Sequence, residues 1–275
     1  MTPEHSTNGQ HFFDDSPTPE RLAPLVEETV FAGGVRYFPS IASTSLAAMQ
    51  AGQEGAPSGS VWLADEQTAG KGRAGHQWHS PAGTGLYLSA LLRPRLAPSE
   101  VIILSLAAGL SVVRAVREVT SLEADLRWPN DVLFGDKKFC GILTEMNSEA
   151  TRVRYVVVGM GLNVHQESFP ADIAEIATSL RIESGREFDR AELAGAILRA
   201  LDEEHRALEA DPIAARQSIL RRFEAHSSYC RAAEVWVEED GGYAGTTRGL
   251  DERGFLRVET ATGMKTVLSG GVRKR

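Results

Sequence analysis

Cysteine is almost missing from this chain: Cys140 and Cys230 are the only two. They lie far apart, without metal-ligand spacing, which excludes a disulfide framework and a cysteine-based zinc site and makes a reduced compartment the default. Basic excess is missing too. With 29 Lys and Arg against 37 Asp and Glu, the net charge is −8. That argues against a general nucleic-acid binder, whose footprint is basic, but leaves room for phosphate at one local basic loop. No basic segment followed by an apolar stretch opens the chain, and no apolar run is read as long enough for a membrane span. Internal repeats are absent. What remains is ordinary soluble composition, 42% hydrophobic and 24% charged over 275 residues. This suffices for one large domain with a real core plus a small one.

Residues 1–34 read as an N-terminal tail or loosely docked arm, polar up to about Pro24 and rich in Pro, Ser, Thr and Asp. Ser43-Thr44-Ser45 before Leu46 is a capped helix start. Val61 to Ala64 and Leu86 to Leu91 have strand composition. Ser99 is the expected cap of a helix whose Ile103, Leu106, Leu110, Val113 and Val116 recur at helical spacing. Val132 to Val158 reads as a strand meander with turns at Gly135-Asp136 and Asn147-Ser148, and helical patterns return over 189–208 and 212–225. Antiparallel strands beside helices without βαβ alternation predict one large α+β region over 35–226. The final stretch, 227–275, has short strands separated by Gly241-Gly242, Gly254 and Gly263, which predicts a separable small β-barrel.

Between the first two strand signals lies Gln67-Thr68-Ala69-Gly70-Lys71-Gly72-Arg73-Ala74-Gly75-His76-Gln77-Trp78. Its glycines match dinucleotide spacing, but His76 to Pro81 is no first helical turn, and no Gly-Lys-Ser/Thr follows for a phosphate loop. Backbone amides with Lys71 and Arg73 suit a phosphate or phosphoanhydride. A basic surface turn explains the segment equally well. Further on, Arg127-Trp128-Pro129-Asn130-Asp131 enters a strand and Lys138 follows in the next, so a hairpin can bring Asp131 and Lys138 together. An acid for Mg²⁺ or an incoming amine beside a lysine for phosphate charge fits adenylation. An ordinary surface pair fits too. Asn163, closing Gly159-Met160-Gly161-Leu162-Asn163, can read an adenine edge or satisfy a turn.

In this order and spacing the segments resemble the biotin protein ligase family. The match runs through Ser43-Thr44, Gln67 with the 70–78 loop, Trp128 to Asp131, Lys138-Phe139-Cys140-Gly141-Ile142-Leu143, Gly159 to Asn163, and Ala177-Thr178-Ser179-Leu180. The resemblance implies a mixed-sheet domain with flanking helices and a C-terminal SH3-like barrel. It also implies an ATP-dependent ligase that forms biotinyl-5′-AMP and then biotinylates a lysine of a carrier. Ser43, Thr44, Gln67, Gly70, Lys71, Gly72, Arg73, Lys138 and Gly141 are the implied biotin residues. Arg73, His76, Trp78, Asn130 and Asn163 are implied for ATP and the adenylate. Arg73, Lys138 and Asp131 are implied for catalysis, with Mg²⁺ carried by ATP and Asp131 a candidate ligand. An acyl-adenylate must be kept from water, which suits a glycine loop that closes over it.

The implied partner is the biotin carboxyl carrier protein of acetyl-CoA carboxylase or a related carrier domain. A homodimer, a cytoplasmic location and no membrane contact are expected. Two-function members carry an N-terminal winged-helix repressor domain; the stretch before Val35 is too short for one, so no operator binding is expected. Lys71, Ala74 and His76 stand where the family has arginines, and Arg127 where it has lysine. A lysine does not reproduce a bidentate clamp, which bears on how long the intermediate is held. Two rival readings remain. A lipoate or octanoate ligase shares the catalytic fold, and a non-catalytic biotin sensor would tolerate the altered loop.

Overall fold

The strand signals become seven strands of one sheet in a computed structural model, which describes residues 14–275. They are β1 (Val35–Ile41), β2 (Ser60–Gln67), β3 (Gly85–Leu92), β4 (Asp125–Arg127), β5 (Asp131–Phe134), β6 (Lys137–Ser148) and β7 (Val153–Asn163). Their order is β1-β2-β3-β7-β6-β5-β4. Only β1 and β2 pair in parallel; the other neighbours are antiparallel. The helices are α1 (Pro19–Val26), α2 (Thr44–Gln53), α3 (Ile102–Thr120), α4 (Leu180–Ser184), α5 (Arg190–Ala210) and α6 (Pro212–Ala225). The sheet is mixed and flanked by helices, as the α+β reading expects.

Each strand's alternation sorts its side chains to two faces. Trp62, Leu91, Tyr155 and Val157 meet Ala48 of α2 on one face. Val61, Leu63, Leu88, Ala90, Val156 and Val158 join the larger core with α3 and α5 on the other. A strand covered on both sides needs no polar face, which is why β3 is a continuous apolar run, buried along its whole length. Ser43 caps α2, its hydroxyl accepting the Leu46 amide, and so sets the helix start at the edge of the functional cleft.

Several local expectations shift. Ser99 caps nothing: the chain enters α3 through a short 3₁₀ turn, Pro98–Glu100, where the Glu100 carboxylate accepts the Ala97 amide at 2.9 Å. Within Pro98–Thr120 an 18-residue window reaches mean hydropathy 1.8, long and apolar enough to cross a membrane by length and composition, where the sequence reading found no such run. That window is 78% buried inside the protein, which makes the segment a core helix. The β6–β7 turn falls over residues 149–152, past Asn147-Ser148, closed by the Glu149 amide on Arg152 O at 2.8 Å.

Residues 1–13 of the expected tail lie outside the described residues. Residues 14–34 are not a loose arm. Thr18 caps α1, and Leu22, Val26 and Phe31 are fully buried. Arg190 grips Asp15 through Nε and Nη2 at 2.7 and 2.8 Å. Gly195 lets α5 approach Leu25, where a Cβ would sit 2.8 Å from the leucine Cβ. Polar composition hid a short amphipathic helix whose apolar positions find their partner only in α5.

The C-terminal strands are β8 (Arg231–Val237), β9 (Tyr243–Leu250), β10 (Leu256–Thr260), β11 (Gly263–Val267) and β12 (Val272–Lys274). They form an antiparallel sheet in the order β11-β10-β9-β8-β12. Among the described residues β11 and β12 do not pair, and the five short strands make up the small all-β C-terminal unit that the sequence predicts. It is not separable. Val235, Val237, Leu256 and Val258 belong to the same core as Trp128 and Phe223, and the Trp128 indole N–H donates to Gly254 O at 2.9 Å.

Candidate active site

The 70–78 segment folds back on itself. The Gly72 amide donates to His76 O at 2.7 Å and the Trp78 amide to Gly70 O at 2.9 Å. The reversal requires positive φ at Ala74 (52°) and Gly75 (80°), a conformation glycine takes freely and alanine only with strain. This hairpin places Lys71, Arg73 and Trp78 over the strands of the sheet, where all three line one cleft with Thr44, Gln67 and Lys138.

At one end of the cleft lies a hydroxyl and amide cluster. Gln67 Oε1 accepts from the Thr44 amide at 2.9 Å and from its hydroxyl at 3.1 Å, while Gln67 Nε2 donates to Ser80 Oγ at 3.1 Å. Ser89 Oγ lies 2.9 Å from Thr44 Oγ1 and 3.1 Å from Ser45 Oγ. Gly159 keeps this corner open: a Cβ there would fall 2.6 Å from Ser45 Oγ. Ser43 acts through the helix cap and does not line the cleft. Such a cluster offers donors to a carbonyl and acceptors to N–H groups, the complement of a cyclic urea.

At the other end the β5–β6 hairpin turns at Gly135 and brings Asp131 and Lys138 together, Nζ to Oδ1 at 2.5 Å. Arg127 takes the second oxygen through Nη2 at 2.7 Å and Nε at 3.2 Å. Burial pushes the Asp131 carboxyl up, but the charges of Lys138 and Arg127 outweigh it and hold the group below the usual carboxylate range. Both oxygens are thus taken by cations, and no cluster of three His, Cys, Asp or Glu occurs among the described residues. Lys138 is fixed at its backbone, donating to Ile176 O at 2.8 Å and accepting from Thr178 at 3.0 Å.

Trp78 spans the two ends. It lies across the paired Gly141 and Gly161, where a Cβ would meet the indole at 3.0 and 2.4 Å. Its ring centre is 5.3 Å from Lys138 Nζ. The indole N–H is buried without a partner, a donor left for a ligand acceptor. Arg73 Nη1 donates to Asn130 Oδ1 at 2.8 Å, and Asn130 Nδ2 donates to Ile142 O at 2.9 Å. Burial lowers the Arg73 guanidinium from its ordinary value, yet it stays a cation at neutral pH.

Besides Ser43, the expected ligand residues Gly70, His76 and Asn163 do not line the cleft. His76 is exposed. Asn163 is buried, donating to Thr178 O at 3.0 Å with Gln166 on its oxygen at 3.4 Å, so it steadies the 176–178 segment behind Lys138. The sequence reading missed Ser45, Ser89 and Gly161. A lone serine inside the apolar run Leu86 to Leu91 was the available signal for Ser89. Cys140 is buried and its thiol pushed far above the ordinary range, so it is no nucleophile.

Comparison with known proteins accords with this geometry. Residues 37–163 match the Biotin/lipoate A/B protein ligase family, and residues 234–275 the Biotin protein ligase C terminal domain. The bifunctional ligase/repressor BirA of Bacillus subtilis is 34% identical over 86% of this chain and 72% of its own length. The biotin–[acetyl-CoA-carboxylase] ligase of Mycobacterium tuberculosis is 35% identical over 78% of this chain and 77% of its own. The biotin protein ligase from Aquifex aeolicus, solved with biotin and ATP, superposes with a TM-score of 0.75 at 31% identity, covering 88% of this chain and 98% of that one. The chain belongs to the biotin protein ligase family.

Proposed function

We propose that this cleft performs both half-reactions of protein biotinylation with one set of side chains. The chain is an ATP-dependent ligase. It joins biotin to the adenylyl group of Mg·ATP and transfers the acyl group to a lysine of a biotin carrier protein. Mg²⁺ enters with ATP as part of the substrate.

In this reading the Thr44, Gln67, Ser45 and Ser89 cluster holds the ureido ring, and the Trp78 indole closes over the acyl chain. Lys138 neutralises the biotin carboxylate and the α-phosphate as the carboxylate oxygen attacks phosphorus and pyrophosphate departs with the bond pair. Arg73 and Lys71 then hold the acyl phosphate. In the second step the amine nitrogen bonds to the acyl carbon, the C–O bond breaks, AMP leaves with the electron pair, and the displaced proton passes to water. Asp131, kept ionised by Arg127, orients the amine. The carrier is the carboxyl carrier of acetyl-CoA carboxylase or a domain of that kind.

The observation that carries this reading is Lys138, paired with Asp131 behind it, lining one cleft with the hydroxyl cluster. A lipoate or octanoate substrate offers nothing for that cluster to bond. Single-turnover pyrophosphate release, with each acid supplied in turn, is the test. A burst with biotin alone is expected. A burst with lipoate or octanoate only, or binding of biotin without any burst, would replace the reading with one of its rivals.

A further inference from the structure

A second cavity of about 210 Å³ opens beside the cleft, between α3 and the C-terminal sheet. That is many times the space one water needs. Its walls are apolar, formed by Val101, Ile102, Ile142, Phe255 and Leu268, with Leu268 exposed at the rim. Besides Arg73 and Asn130, its polar groups are two hydroxyls: that of Ser105, which donates to Pro129 O at 3.1 Å, and Thr144 Oγ1, which is buried without a partner. No carboxylate lines it. Arg73 and Asn130 line both this cavity and the cleft, so their 2.8 Å hydrogen bond is the partition between the two.

We propose that this cavity admits the side chain of the acceptor lysine, an unbranched primary alkylamine, to the acyl carbon held in the cleft. The inference rests on the two-step reading above. An aliphatic stem can shed water against the five apolar walls. The Thr144 and Ser105 oxygens accept from an N–H at the stem's end, while the nearby Arg73 cation disfavours the ammonium form and so favours the neutral nucleophile. When Arg73 turns toward the acyl phosphate it releases Asn130 Oδ1 and opens the partition. The amine then reaches the anhydride only after adenylation. Because Phe255 and Leu268 flank strands β10 and β11, the C-terminal domain supplies one wall of the entry.

The test uses the full chain. Thr144→Met and Ile102→Trp fill the cavity from two sides, and Thr144→Ser leaves it open. Pyrophosphate release reports adenylate formation, and a chase with butylamine or with a carrier domain reports transfer. Both filled variants should keep the burst within about twofold of the parent. Both should consume the adenylate at least about tenfold more slowly with either amine, because the stem no longer finds room in the filled cavity. Thr144→Ser should transfer normally. Normal transfer in a filled variant with an intact burst overturns the proposal. So does loss of transfer to the carrier with butylamine unaffected, which places the effect in carrier docking. Absence of the burst in the parent protein counts against the two-step reading instead.

Discussion

Lys138 Nζ rests 2.5 Å from Asp131 Oδ1, an ion pair joining two strands of one hairpin. The pair keeps a cation beside the cleft in a defined position. When Lys138 turns to a phosphate, Arg127 still holds Asp131 through its other oxygen, so the carboxylate is never left buried alone.

Lys138→Ala should therefore cost activity more than stability. Loss of one electrostatic stabiliser typically slows chemistry by on the order of a hundredfold, and adenylate formation should fall by at least about that factor. Single-turnover kinetics checks the first expectation and urea unfolding the second. Near-normal biotinyl-AMP synthesis removes Lys138 from the mechanism.

Asp131→Asn should show a pH-dependent stability cost. The native carboxyl is held below its unfolded value, so its contribution is whole above the ordinary aspartate pKa of about 4 and fades as pH falls toward the lowered value. The variant should lose roughly 1–3 kcal/mol at pH 7. The gap to the parent should shrink between about pH 5 and 3. Denaturant melts at pH 7, 5 and 3.5 measure it, and a constant gap rejects the assignment.

Gly161→Ala drives a methyl into the Trp78 indole, 2.4 Å from its nitrogen. Overpacking of this kind costs about 1–3 kcal/mol, and here the exposed side of the ring lets it move. Biotin affinity should fall about tenfold or more with the fold retained. Isothermal titration with circular dichroism checks this, and unchanged affinity would separate Trp78 from ligand binding.

In the 70–76 loop Lys71 and His76 should behave differently. Lys71 lines the cleft, so Lys71→Arg should slow release of the adenylate by up to roughly tenfold, as an added bidentate contact does. His76 is exposed, and His76→Arg alone should leave release unchanged. Adenylate off-rates of the two single variants decide the point; equal slowing by both contradicts the geometry.

Removing residues 227–275 should not leave a soluble catalytic unit. The cut exposes Trp128 and Phe223, each about 1% exposed in the intact chain. Losing such aromatic burial costs about 3–5 kcal/mol per site. Expression and melting of the truncated chain test this, and a cooperative, soluble fragment counts against a shared core.

The elements with a strong local signature were legible from residue order alone. The cap at Ser43, the apolar run of β3, the Gly135 turn that brings Asp131 to Lys138, and the glycine-rich loop all follow from short-range preferences of backbone and side chain. The family motif made the cleft residues nameable before any coordinates. What residue order left open depends on partners distant in sequence. Whether residues 14–34 are a tail or part of the core turns on α5. Whether Asn163 faces a ligand or Thr178, and whether Arg73 and Asn130 wall off a second cavity, turns on packing between segments the chain itself keeps far apart. Composition sets a segment's polarity and period, but burial is a property of pairs of segments, and only the tertiary structure decides which pairs meet.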